Sequence, residues 1–417
     1  SAASDVYKRQ HLTLPKQTDR SPHIQLRASV HDIDLLTAKN LMPHGVIPHT
    51  AHWFDQAMGN GLIRRADLTL EGPLRSFPFK QNEGVFEAIL DAENVEMLFH
   101  PEWLPLTETA ARLRFHGPGL DIESKQGHIG QADLVNVTAH IDDLGEKPWL
   151  ELEGVATAGV AEAFDVLKHS PIHRIPDQLN QLISVSGNTR VSLQLRVPLD
   201  HRLGETAVKG AALFQKAKLT FKDLGLEVEQ VEGPLEFTRD ALSAQAINAK
   251  FLAHPIAIKV HQDEKNILIH VNGRADVPAL TRLFNTLTGG RRDPVSRTAS
   301  PAVMSLLKGG SDYRLELGIP QSLNAQSDDF RLSLTTDLEG LELDLPAPLA
   351  KTDKARVPLL IETLLRQGND APVKVRYGQQ LEARLIFSEP MKGFTWKGGQ
   401  IALNRPLPEA GTAHGVH

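Results

Sequence analysis

Residues 111–144 read ARLRFHGPGLDIESKQGHIGQADLVNVTAHIDDL. Apolar and polar side chains alternate here in short runs: Ala111, Leu113 and Phe115 against Arg112, Arg114 and His116, then Val135, Val137, Ala139 and Ile141 against Asn136, Thr138, His140 and Asp142. A period of two sends successive side chains to opposite faces of a β-strand. The same rhythm returns in WLELEGVA from Trp149 and near Lys218, Leu315 and Lys374. Downstream, Ile256, Ile258 and Val260 oppose Lys259 and His261, and Ile267, Ile269 and Val271 oppose His270 and Asn272. Leu315, Leu317 and Ile319 obey the rule, as do Leu381, Ala383, Leu385 and Phe387. The polar faces carry formal charge and so face water.

Working outward, some twenty strands of roughly five to eight residues cover the chain. That is too many for one sandwich, and no boundaries divide the chain into units of ~100 residues. An outer-membrane barrel needs strands of ~9–11 residues and aromatic girdles; only 5% of this chain is aromatic. The expected fold is mainly β with a few short helices: an elongated, curled antiparallel sheet forming a repeat-built apolar groove. At ~4.8 Å per strand it would extend on the order of 100 Å, with a trough roughly 20 Å across. Such a trough is wide enough for acyl chains. The segment from Ala111 is loosely repeated from Glu232 as EGPLEFTRDALSAQAINAKFLAHPIAIKV, in keeping with growth by stacking.

Helical spacing interrupts the strands at Val46–Met58, Val160–Ser170, Ile175–Ile183, Val277–Leu287 and Pro301–Lys308. Gly119, Gly225 and Gly340 mark short connections where a positive φ suits glycine. The organisation read from the chain is residues 1–10 as a translated scar, 11–288 as the first part of the β-groove, 289–300 as a linker or loop, 301–405 as its continuation, and 406–417 as a disordered tail. Residues 1–10 (SAASDVYKRQ) are polar and unpatterned and lack the apolar core of a signal peptide.

Composition excludes several functions. A net charge of −6, with no basic run longer than Arg291-Arg292, argues against nucleic acid. There is no cysteine for disulfides or thiolate metal sites. No stretch approaches the ~18 apolar residues of a membrane-spanning helix. His44, His49 and His52 cluster, but only Asp55 offers a further ligand, and surface histidines account for them without a metal. No Gly-x-Ser-x-Gly elbow or P-loop is present, and Asp142-Asp143 and Asp328-Asp329 read as solvated strand ends. No enzyme and no cofactor are expected. Trp53, Trp103, Trp149 and Trp396 read as packing anchors.

Three segments carry a resemblance. They are MPHGVIPHTAHWFDQAMGNGLIRRADLTLEGPLRSFPF from Met42, LFHPEWLPLTETAARLRFHGPGLDI from Leu98, and LEGLELDLPAPLAK from Leu338. Together they resemble the YhdP-like members of the AsmA-like family of Gram-negative envelope proteins. The resemblance implies a β-rich periplasmic groove held to the inner membrane by one N-terminal helix absent from this fragment. It also implies phospholipid acyl chains as cargo, moved between inner and outer membranes, with possible envelope protein partners. Periodicity nominates the groove lining as Leu113, Phe115, Val137, Ile141, Ile256, Ile258, Val260, Ile267, Ile269, Leu315, Leu317, Leu385 and Phe387. That these residues face lipid follows from the resemblance alone. A scaffold of the envelope without lipid cargo, and a carbohydrate-binding protein, stand as the alternatives.

Overall fold

A computed structural model describes residues 6–13, 21–39, 57–99, 101, 103–145, 148–170, 183–222, 224–263, 265–287, 304–320, 330–365, 370–388 and 395–407. The expected helices at Val46–Met58 (but for its last two residues) and Ile175–Ile183 (but for its last) lie outside these, as do the linker and most of the expected tail. So do the His44, His49 and His52 cluster and Trp53.

Among the described residues the chain forms 21 strands in one antiparallel sheet. The first nine are β1 (Val6–Thr13), β2 (His23–Asp34), β3 (Leu62–Pro73), β4 (Val85–Met97), β5 (Leu106–His116), β6 (Gly119–Ile129), β7 (Ala132–Ile141), β8 (Trp149–Gly159) and β9 (Ile183–Pro198). Each pairs with the next. β10 (Ala207–Phe221), β11 (Leu226–Thr238), β12 (Leu242–Phe251), β13 (His254–Gln262), β14 (Asn266–Asp276) and β15 (Leu307–Pro320) continue the order. The last are β16 (Phe330–Thr336), β17 (Leu341–Leu343), β18 (Leu359–Leu365), β19 (Ala371–Tyr377), β20 (Leu381–Ser388) and β21 (Thr395–Leu403). β17 pairs with the start of β15, while β16 joins β15 to β18. Among the described residues no pairing joins β1 to β21.

Two compact units divide the chain. Unit 1 comprises residues 1–173, 188–212 and 237–240; unit 2 comprises 174–187, 213–236 and 241–417. Three helices are described: α1 (Leu35–Lys39), α2 (Val160–Lys168) and α3 (Val277–Leu287). The Asp34 carboxylate caps α1, accepting from the backbone N–H of Leu36 at 2.9 Å and Thr37 at 3.2 Å. Asp276 does the same for α3 through Ala279 N–H at 2.8 Å.

The strands are longer than the sequence pattern indicates: seven to sixteen residues, apart from the three of β17. The cause is the β-bulge, which adds one residue to a strand and inverts the phase of the alternation. In β4 the apolar side runs Ala88, Leu90, Ala92 and then shifts to Val95 and Met97 across register breaks. In β7 the extra residue is Val135, 39% exposed, rather than a member of the Val137–Ala139–Ile141 face. Strand length therefore gives no argument against a membrane barrel; the scarcity of aromatics still does. Val6–Gln10, polar and without an apolar pattern, forms most of β1 and pairs with Val30–Leu26. The segments from Ala111 and Glu232 are both three-strand meanders, β5–β7 and β11–β13. At the β5–β6 turn the positive φ falls on Gly117 (φ 51), while Gly119 is the first residue of β6.

Candidate functional site: the apolar face of the sheet

Strand register converts the alternation into rows that cross many strands. In unit 1 one row runs Val30, Ala66, Leu90, Leu113, Ile122, Ala139, Leu152 and Leu195, one residue from each of β2 to β9. A neighbouring row is Ala28, Leu68, Ala88, Phe115, Leu120 and Ile141. Val137 stands between Ser124 and Gly154 on the same face. In unit 2 a row runs Ile247, Ile258, Val271, Leu315, Leu334, Ile361, Val375, Ala383 and Ile401. Beside it lie Ala244, Val260, Ile269, Leu317, Leu332, Thr363, Val373 and Leu385. Ile256 pairs with Ala249, Ile267 with Ile319, and Phe387 with Ala371 and Trp396. Every nominated residue thus stands on the single apolar face of its own unit.

These residues are packed sideways, along the sheet, more than from above. Leu120, Ile141 and Leu144 form a buried cluster with Leu113, Phe115, Ile122, Leu150 and Leu199, from β5 to β8, the β7–β8 turn and the residue that follows β9. Ala244, Ile247 and Val260 do so in unit 2 with Ile258, Ile267, Ile269 and neighbours. Ile141, Ile256 and Val260 are buried, whereas the other ten nominated residues are only half-buried. Full burial of a Leu or Ile side chain contributes ~1.5–3 kcal/mol, so each half-open position forgoes roughly 1 kcal/mol.

The opposite face is a lattice of alternating charge. In unit 1 a row runs Ser29, Asp67, Ile89, Arg114, Asp121, His140, Glu151 and Arg196. Arg112 forks onto Asp91 at 2.7 and 3.1 Å, and Arg114 meets Glu87 at 2.9 Å. His140 lies 2.6 Å from Asp121 and 2.9 Å from Asp142, and His116 lies 2.9 Å from Asp121. The hydrogen bond to Asp121, then that to Asp142, holds the His140 pKa above its ordinary value. The His140 bond holds Asp121 below the usual carboxylate range. A concavity of about 640 Å³ lies over this charged face, lined among others by Arg112, Arg114, Glu123, Glu153, Arg196 and Lys209. It is distinct from the apolar side on which a trough is expected.

Three tryptophans are described. Trp103 packs against the buried pair Leu195 and Val208, and Trp149 lies beneath the Arg196 guanidinium at 4.7 Å. Trp396 is 66% exposed, so it is not the packing anchor the sequence suggests; β21 leaves it at the last strand of the sheet. No spacing in the sequence signals the Trp103 contact, because it depends on long-range register. Among the described residues no group of three or more His, Asp or Glu could hold a metal ion, and no helix is long and apolar enough to cross a membrane.

A one-sided antiparallel sheet, apolar and half-open on one face and charged on the other, defines the class. The chain belongs to the YhdP family: the family described as YhdP protein matches residues 2–416. It is similar to the intermembrane phospholipid transporter YhdP of Escherichia coli strain K12, with 25% identity over 302 residues, 71% of this chain and 22% of that protein. The chain thus spans about a fifth of the length of that relative. No solved structure matches.

Proposed function

We propose that this chain is a segment of a non-enzymatic phospholipid conduit, in which acyl chains lie against the apolar rows of the sheet. The observation that carries this reading is the row from Ile247 to Ile401, nine strands of aligned apolar side chains, most of them half-open. The kinship with a protein named as an intermembrane phospholipid transporter supplies the cargo. Headgroups stay in water at the open side, because burying a charged phosphate without partners costs far more than the chains gain. The charged face opposite keeps the segment solvated as it crosses the periplasm. In this reading the whole protein is held in the inner membrane by a helix outside this chain and delivers toward the outer membrane.

The test is photo-crosslinking in cells. A benzoylphenylalanine in place of Phe115 or Ile258, both half-buried, should capture phospholipid. The same probe at Lys259 or Arg114, on the charged face, should not. Protein partners captured at Phe115 and Ile258 with no lipid would favour a lipid-free scaffold and reject the conduit.

A further inference from the structure

The apolar face of unit 1 is not open along its whole width. The connection between β4 and β5 (residues 98–105) carries Trp103 onto Leu195 of β9 and Val208 of β10. Leu195 is four strands from β5 in the ladder, about 19 Å along a flat sheet at ~4.8 Å per step. A side chain alone does not bridge that distance on a flat sheet, so Trp103 is carried across the apolar rows that lie between β5 and β9. Phe99 backs the indole, with ring centroids 5.7 Å apart. From the other side α2 folds back onto β7 and β8, and its Leu167 joins the same cluster. Strap and helix close in on each other at Gly130, the β6–β7 turn. A Cβ there would lie 2.8 Å from Leu104 Cδ1 and 3.5 Å from Val166 Cγ2. Trp103, Leu167 and Phe164 nevertheless remain half-buried, so this cover is itself incomplete.

We propose that Trp103 and Leu167 form an apolar clasp over Leu152, Leu193 and Leu195, under which an acyl chain must pass. The clasp rests on the conduit reading. It is held by dispersion and apolar burial alone, because no hydrogen bond or ion pair ties the indole to β9 among the contacts described. An acyl chain offers the strands the same kind of contact and can replace the indole with little loss. The clasp is therefore a selective step for chains, set apart from the half-buried Phe115, which lies outside it.

The experiment places benzoylphenylalanine at Leu193, beneath the clasp, and separately at Phe115, outside it, in the full-length protein in cells grown on radiolabelled phosphate. Trp103→Phe, Trp103→Leu and Trp103→Ala are compared, each first checked for unaltered protease resistance. Phospholipid capture at Leu193 should rise several-fold as the side chain shrinks, while capture at Phe115 stays constant. Equal capture at Leu193 across folded variants, with lipid still captured at Phe115, overturns the clasp and leaves the conduit standing. Absence of lipid at Phe115 in the unaltered protein would overturn the conduit and the clasp with it. Because Trp103→Leu keeps most of the apolar bulk, it still reports should Trp103→Ala fail to fold.

Discussion

In unit 1 the ionised side chains stand on the water-facing rows and neutralise one another across strands: Arg112 with Asp91, Arg114 with Glu87, and Arg196 with Glu151 at 3.3 Å. Unit 2 carries a comparable charged row from Lys259 to Gln400, but it also encloses a cation. Lys351, 5% exposed, donates to the carbonyls of Leu341 at 2.7 Å and Thr352 at 2.8 Å. Burial lowers its pKa; Asp353, Asp337 and Glu339 oppose that shift through their fields. On the apolar side the two units follow one plan. The alternation is common to both units, whereas charge differs in use: cross-strand pairs in unit 1, and a lysine bound to loop carbonyls in unit 2.

The apolar side, where the units agree, gives the largest expected effect. Ile141 in unit 1 is 3% exposed, whereas Ile258 in unit 2 is half-buried. An aspartate at a buried site must shed water or neutralise, at a cost of several kcal/mol. Ile141→Asp should lose about 3 kcal/mol or more in urea unfolding of this chain, and Ile258→Asp clearly less. The buried carboxyl would have a raised pKa, so the Ile141→Asp variant should be least unstable in acid and lose stability as pH rises through that value. Equal losses at the two positions would mean that Ile258 is covered after all, and the open row would fail with it.

A smaller effect is expected where the units differ. Lys351→Met keeps the apolar stem and removes the ammonium, taking a donor from the buried Leu341 carbonyl and from the part-buried Thr352 carbonyl. Such a loss costs about 1–3 kcal/mol. The backbone pair Leu343–Lys351, joined by hydrogen bonds of 2.8 and 3.0 Å, should exchange its amide hydrogens faster in the variant. Unit 1 amides such as that of Ile122 should be unaffected. Unchanged exchange at Leu343 would show that the lysine does not pin this loop.

Much of this arrangement was legible in the sequence because alternation is a local property. The two amphipathic helices at Val160 and Val277 were legible too, since their apolar stripes lie within a few turns. The nominated residues fell on one face of each unit for the same reason. What escaped depended on pairing partners far along the chain. The strands outrun their alternation because bulges on either side of Val95 and at Val135 break the period without ending the strand. Gly233 (φ 133) and Pro234 both lie inside β11, although a Gly-Pro pair ordinarily marks a turn. The five-residue α1 carries too little periodicity to be noticed, and its Asp34 cap is the clearest mark it leaves. Trp103 over β9 and Lys351 inside its loop are contacts that no spacing encodes.

The smallest effect concerns protons on the charged face of unit 1. His140 titrates above its ordinary value because Asp121 and then Asp142 favour the imidazolium. A group whose folded pKa is raised adds stability that is present in full below the unfolded value, near 6.5. That contribution is lost as pH climbs through the folded value. Asp121 has the opposite sign: its lowered pKa adds stability above the ordinary carboxylate value, lost as acid protonates it. The two together favour a window between the carboxylate and imidazole ranges. Both side chains are more than a third exposed, 44% and 38%, so solvent screening holds the gain to about 1 kcal/mol at most. His140→Gln retains a hydrogen-bonding side chain and cannot ionise. Unfolding midpoints of the unaltered chain should fall slightly between pH 6 and pH 8, and His140→Gln should flatten that slope. An unchanged slope in His140→Gln would show that this imidazole does not carry the pH dependence.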